Sequence, residues 1–206
     1  MGKKETYIVG ITGGTGTGKS LVTVFFKQFG ANVLDVDIMA KEVMSNSSKI
    51  KKELISNYGK RVISPEKKLN YDVIRGIVFN DKNELKKLNS IVWPEMLKEL
   101  ETRIREFRKN NMGMFVVDMA VLFEAKAQKL FDVIILVKAP KVTRINRLIE
   151  NRKWTRDLAE KIIEFQSEEK PKEAFWDFII NNNKSIEHLK NETEKIFTRI
   201  QNKFSN

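Results

Sequence analysis

Eight consecutive residues, Gly13-Gly-Thr-Gly-Thr-Gly-Lys-Ser20, match the pattern G-x-x-x-x-G-K-[ST]. Each residue type has a chemical reason to be there. Glycines let the backbone turn so that successive N–H groups converge on one anion. A helix beginning at the end of the run adds a favourable partial charge for phosphate. Lys19 can then reach the β- and γ-phosphates of a nucleoside triphosphate, and the Ser20 hydroxyl can ligate a Mg²⁺ that bridges them. A dinucleotide fingerprint is disfavoured, because Lys19 stands where its last glycine would fall after Gly14 and Gly16.

The loop does not say who receives the phosphate, and three further groups of residues bear on that. Asp35-Val-Asp37 closes a short apolar run, and alternation along a strand would send both carboxylates to one side. Asp37 can accept the proton of an attacking hydroxyl or cap the following helix. Asp118 ends another apolar run. It can orient Mg²⁺ through water or, equally, cap a helix. Arg144, Arg147, Arg152 and Arg156 cluster further on. Arginines on a closing lid neutralise charge on a transferring phosphoryl group, and Arg152, at the start of a lid-like segment, is the candidate for direct contact. The other arginines of the cluster include some that only solvate a helix face.

These residues need a scaffold, and the hydrophobic pattern supplies one. Tyr7–Thr12, Asn32–Val36, Met114–Asp118, Val133–Val137 and Asp177–Asn181 read as strands. Their apolar residues run continuously rather than alternating, as in strands covered on both faces. Helical patterns separate them, so an α/β fold with a five-stranded parallel sheet is expected. In such sheets ligands gather at the carboxyl ends of the strands, which would bring the loop and the strand-end carboxylates together. Leu21–Phe29 reads as a helix stopped by Gly30. Leu85, Leu88, Val92, Leu97, Leu100, Ile104 and Phe107 recur at near-helical spacing, which makes 42–111 a helical insertion. Residues 151–176 are helical in period, densely charged and lid-like. From residue 184 an amphipathic helix presents Ile186, Leu189, Thr193, Ile196, Ile200 and Phe204 on one side. The expectation is one domain: core segments about 6–41, 112–150 and 177–206, the insertion, and a lid.

Composition excludes several functions. Among 206 residues there is no cysteine and one histidine, His188. Disulfide frameworks, thiol nucleophiles and multi-histidine metal sites are therefore out. No apolar run exceeds five residues, far short of the roughly 20 that a membrane helix needs. No apolar stretch follows Met1 to serve as a signal peptide, so no membrane partner and a cytoplasmic setting are expected. GTP-switch machinery is missing. No Asp is followed three residues later by Gly, and Asn183-Lys-Ser-Ile186 departs from N-K-x-D. The net charge of +11 admits nucleic acid, an anionic membrane surface or a small polyanion as partner.

Beyond the loop itself, longer stretches resemble the dephospho-CoA kinase family. Ile8–Ser20 is similar to its G-L-T-G-G-I-G-S-G-K-S. Phe29–Val43 is similar to F-x-x-x-G-x-x-V-I-D-A-D-x-I-A-R-x-V. Further matches are Arg75–Phe79, Asp118–Glu124 against D-V-P-L-L-F-E, Gln166, and 177–182. The resemblance implies a P-loop kinase fold with a helical CoA-binding region and a lid. It implies transfer of the ATP γ-phosphate to the ribose 3′-hydroxyl of dephospho-CoA, giving CoA and ADP. Under it, Gly13 to Ser20 with Leu21 bind ATP. Asp37, Lys19 and Arg152 are catalytic, and Asp37, Arg75 and Asp118 touch the acceptor. Ser20 holds Mg²⁺, with Asp118 a second candidate through water. Departures are Trp93-Pro94 for the usual H-P, Leu21 where Thr is common, Arg152-Lys153 for R-D, and the missing proline after Asp118.

The rival readings are a kinase for another small hydroxyl acceptor and a P-loop regulatory or nucleic-acid-binding protein. Nothing in the chain matches a DNA- or RNA-reading motif, and the basic charge fits two small nucleotide anions or a merely soluble surface. Residues 49–68 carry Lys49, Lys51, Lys52, Lys60, Arg61, Lys67 and Lys68 against Glu53 and Glu66, a field suited to steering such anions. Oligomeric state is left open.

Overall fold

The computed structural model describes residues 6–78, 81–110, 113–167 and 176–205. Phe79 and the 168–175 stretch of the expected lid lie outside them. Five strands form one parallel sheet: β1 (Thr6–Thr12), β2 (Asn32–Asp35), β3 (Gly113–Asp118), β4 (Val133–Lys138) and β5 (Phe178–Asn181). Their order is β2-β3-β1-β4-β5. The continuous apolar runs lie inside: Ile8, Val9, Ile11, Val116, Val117, Val133 and Ile135 are fully buried. The register sets Asp118 beside both Ile11 and Asp35, and Lys138 beside Asn181. The carboxyl ends therefore align along one edge.

Helix α1 (Lys19–Gln28) begins two residues before the expected Leu21, because Gly18 caps it. It buries Val22, Phe25 and Phe26 against the sheet. On the same face lies α8 (Ile186–Ser205), with Leu189, Thr193, Ile196, Phe197 and Ile200 buried. Phe26 and Phe197 meet edge-on at 5.9 Å, and Phe204 stacks on Tyr7 at 4.8 Å. Ile186, expected on this apolar side, is 67% exposed. It opens the helix ahead of the buried stripe, and Phe197 takes a place in that stripe instead. Helices α6 (Lys141–Arg152) and α7 (Arg156–Ser167) pack through Ile145, Leu148, Ala159 and Ile163. Arg152 thus ends α6 rather than opening the lid-like segment, and Lys153 caps that helix in the left-handed region at φ 56°.

The described residues fall into two compact units, one within Met1–Asp35 and Ile104–Asn206, the other within Val36–Arg103. The second is helical. It contains α2 (Val36–Asn46), α3 (Ser48–Tyr58), α4 (Tyr71–Val78) and most of α5 (Lys82–Asn110). Ile50, Leu54, Tyr58, Val62, Leu69, Ile74, Ile91 and Val92 form its own core. Ser47 caps α3 by accepting the Ile50 N–H at 3.2 Å. Helix α5 runs through Pro94 without ending. No helix among the described residues is long and apolar enough to cross a membrane.

Candidate active site

The loop joins β1 to α1 at the carboxyl edge of the sheet. Its shape demands glycine for two different reasons. Gly18 sits at φ 87°, a conformation costly for any side chain. At Gly13 the obstacle is space, since a Cβ would lie 2.6 Å from the Val137 carbonyl oxygen on β4. A backbone atom in a central strand cannot swing aside. Gly13→Ala is therefore expected to displace the loop at an overpacking cost of about 1–3 kcal/mol. The checkable result is a raised KM for ATP together with a smaller gain in Tm when ATP is added.

The outer side of the loop is held by side chains distant in sequence. Arg144 Nε donates to the Thr15 carbonyl at 2.7 Å. Arg147 Nη1 reaches the Gly16 and Thr17 carbonyls at 3.5 and 3.4 Å. Asn182, just past β5, donates its amide to the Thr17 carbonyl at 2.8 Å and accepts from Arg147 Nη2 at 3.1 Å. A trans peptide points its C=O and the next N–H in opposite directions. Anchoring the Thr15 and Thr17 carbonyls therefore turns the Gly16 and Gly18 N–H groups away from these partners. The hydroxyl of Thr17, a residue 3% exposed, has no hydrogen-bond partner among the described residues. Buried polar groups are normally satisfied, so this hydroxyl is an exception within the loop.

Charge converges on the same place. Burial lowers the proton affinity of the Arg144 guanidinium. Among the described residues its hydrogen bonds go to neutral oxygens of Thr15 and Gln166, and it remains a cation suited to an anion nearby. Lys19 Nζ forms an ion pair with Asp118 Oδ1. The other carboxylate oxygen of Asp118 lies 3.0 Å from Thr23 Oγ1. That hydroxyl also lies 3.1 Å from the Lys19 carbonyl and shares its single proton between the two. Asp118 is 5% exposed, so lysine and hydroxyl together make a buried carboxylate tolerable.

The structure thus brings together Gly13 to Ser20, with Leu21 following in α1, and Lys19, Asp118, Arg144 and Arg147. Ser20 is exposed at the start of α1. Asp37 lies in the first turn of α2, exposed, because β2 ends at Asp35 and passes directly into helix. Strand alternation therefore does not extend to it, and the shared side expected for Asp35 and Asp37 has no basis. Arg152 places its guanidinium 5.3 Å from the centre of the Trp154 ring. Arg156 pairs with Glu160 at 3.5 Å. Arg75, exposed on α4, pairs with Asp72 at 3.1 Å. Sequence reasoning overlooked Thr23. Its signal was the four-residue spacing from Lys19, one helical turn. For the arginines other than Arg152 it offered phosphate contact or a solvated helix face, whereas Arg144 and Arg147 hold loop carbonyls.

A glycine-rich loop held in this way, seated on a parallel sheet with arginine-bearing helices packed against it, is the arrangement of an ATP-dependent P-loop kinase. The dephospho-CoA kinase family model matches residues 7–188. The chain is 34% identical over 198 residues to dephospho-CoA kinase of Fusobacterium nucleatum, covering 94% of this chain and 98% of that protein. It is likewise 34% identical over 199 residues to that of Listeria monocytogenes, covering 95% and 98%. The solved dephospho-CoA kinase of Campylobacter jejuni superposes with a TM-score of 0.63 at 21% identity, covering 95% and 97%, and shares the fold. The chain belongs to the dephospho-CoA kinase family.

Proposed function

We propose that this chain transfers the γ-phosphate of ATP to the ribose 3′-hydroxyl of dephospho-CoA, giving CoA and ADP. The observation that carries the reading is the anion loop itself, anchored from outside by Arg144, Arg147 and Asn182 and flanked by the Lys19–Asp118 pair. The family relationship supplies the acceptor.

In this mechanism the Gly16 and Gly18 N–H groups and the Thr17 hydroxyl hold the phosphate chain of ATP. Lys19 transfers from Asp118 to phosphate oxygens. Asp37 takes the 3′-hydroxyl proton as that oxygen attacks the γ-phosphorus, and ADP leaves. Arg152, released from Trp154, neutralises charge on the moving phosphoryl group. The helical unit around α2–α5 receives the CoA moiety. Arg75 and the basic stretch 49–68 favour its phosphates there, and residues around α7 act as the lid.

The donors present fit Mg²⁺. Ser20 offers an exposed hydroxyl, and Asp118 a carboxylate that Lys19 leaves as ATP binds. Mg²⁺ uses one or two protein oxygens together with substrate phosphates and needs no all-protein cage. Bound there it would offset the negative charge that develops on the phosphoryl oxygens during transfer.

A coupled assay of ADP formation tests the reading. Turnover is expected with dephospho-CoA, not with a panel of nucleosides and sugar acids, and is lost when EDTA removes Mg²⁺. Turnover on another hydroxyl acceptor with none on dephospho-CoA would overturn it.

A further inference from the structure

We propose that Gln166 is a positioning residue for the phosphate loop, clamping Thr15 at two points and thereby coupling helix α7 to nucleotide affinity. This rests on the reading of the loop as the ATP site.

Thr15 carries three polar groups, and side chains from outside the loop occupy all of them. Its N–H donates to Gln166 Oε1 at 2.9 Å. Its Oγ1 accepts from Gln166 Nε2 at 2.9 Å. Its carbonyl accepts from Arg144 Nε at 2.7 Å. A carboxamide presents an acceptor and a donor side by side, and Thr15 offers the complementary donor and acceptor in matching order. The network defines the amide orientation. Oε1 is the end that meets two donors, the Thr15 N–H and, at 3.4 Å, Arg144 Nη2. Nε2 is then the end left for the hydroxyl.

Two consequences follow. With its N–H engaged by Gln166, Thr15 contributes no donor to an anion, and the cradle begins at Gly16. The pose of α7 is also held at two levels. Ala159 and Ile163 pack on α6, and Gln166, one residue from the end of α7, grips the loop. A shift of α7 must move Thr15, and a loop rearranged around phosphate must move α7. The second bond of the clamp exists because residue 15 is threonine. In the resembling pattern G-G-I-G-S-G-K-S an isoleucine stands there, which leaves Gln166 Nε2 without this acceptor.

The test is direct measurement of the ATP dissociation constant by calorimetry, which needs no acceptor, followed by steady-state kinetics. Gln166→Leu is expected to weaken ATP binding about tenfold, the worth of two neutral hydrogen bonds. It should raise KM for ATP more than it lowers kcat, a split that mere loss of folded protein would not produce. Thr15→Val should bind ATP about three- to fivefold more weakly than Thr15→Ser, which keeps the hydroxyl. Combining Gln166→Leu with Thr15→Val should cost no more than Gln166→Leu alone, since both remove the same bond. An affinity for Gln166→Leu within twofold of wild type, or a double variant showing the product of the single effects, would overturn the clamp. If Gln166→Leu fails to fold, equal affinities for Thr15→Val and Thr15→Ser would overturn it instead. Failure of the acceptor reading shows differently, as wild-type ATP binding without turnover of dephospho-CoA.

Discussion

Asp37→Asn is expected to lower kcat by about 10²- to 10⁴-fold, the usual worth of a general base, while ATP binding changes little. The substitution keeps the shape of the side chain and removes its ability to take a proton. Asp37 is exposed in the first turn of α2, two residues beyond the end of β2, whereas the proposed ATP cradle comprises the β1–α1 loop and side chains of α6, α7 and the β5 end. The two proposed functions fall on different segments, so they should separate experimentally. Initial rates with each substrate varied in turn, alongside the ATP dissociation constant, make the comparison. Turnover close to wild type would remove Asp37 from the mechanism, and a large loss of ATP affinity would recast it as a binding residue.

Lys19→Met should produce two losses of different origin. ATP binding is expected to weaken by roughly 10- to 100-fold, the range of a charged hydrogen bond at about 1.5–3 kcal/mol, and turnover should fall with it. Stability should fall as well. The Lys19 and Asp118 side chains are 14% and 6% exposed, and removing one partner of a buried pair strands the other charge at a cost of about 3–5 kcal/mol. The second variant, Asp118→Asn with Lys19→Met, separates these effects. It replaces the stranded carboxylate by a neutral amide that Thr23 can still meet. Urea unfolding should show most of the stability restored, while ATP affinity and kcat stay low. Recovery of both would assign Lys19 a purely structural role. Recovery of neither would show that Asp118 does not depend on Lys19 for its burial.

The loop and the scaffold were legible for a local reason. Gly13 to Ser20 encode a backbone path through their own conformational freedom, and the spacing of Lys19 and Ser20 after them is a matter of a single turn. The buried strands were legible because central parallel strands are apolar on both faces, and β1, β3 and β4 are central. Short-range rules failed at junctions. Nothing in Asn32–Asp37 marks the point at which strand becomes helix, and strand alternation was carried two residues too far. Ile186 and Phe197 are both apolar and both compatible with a helical stripe, so the burial of one and exposure of the other depends on where α8 meets the sheet.

The arginines show the same limit. Arg144, Arg147, Arg152 and Arg156 are alike in type and close in sequence, and composition cannot rank them. Their roles differ because α6 approaches the loop along one face, bringing Arg144 to the Thr15 carbonyl and Arg147 to Thr17 and Asn182, while Arg152 at its end meets Trp154. What the amino-acid sequence by itself determined was a glycine-rich loop of phosphate-binding pattern on a parallel α/β core and the resemblance that names the family. Both are written in short contiguous blocks, whose geometry follows from local backbone preference and apolar period. Only the tertiary structure decided that Asp118 holds Lys19, that Thr23 shares that carboxylate, and that Gln166 and Asn182 take hold of the loop from 151 and 165 residues away. Contacts across such separations are set by the packing of α6, α7 and β5 around the sheet, and no local pattern in the chain encodes them.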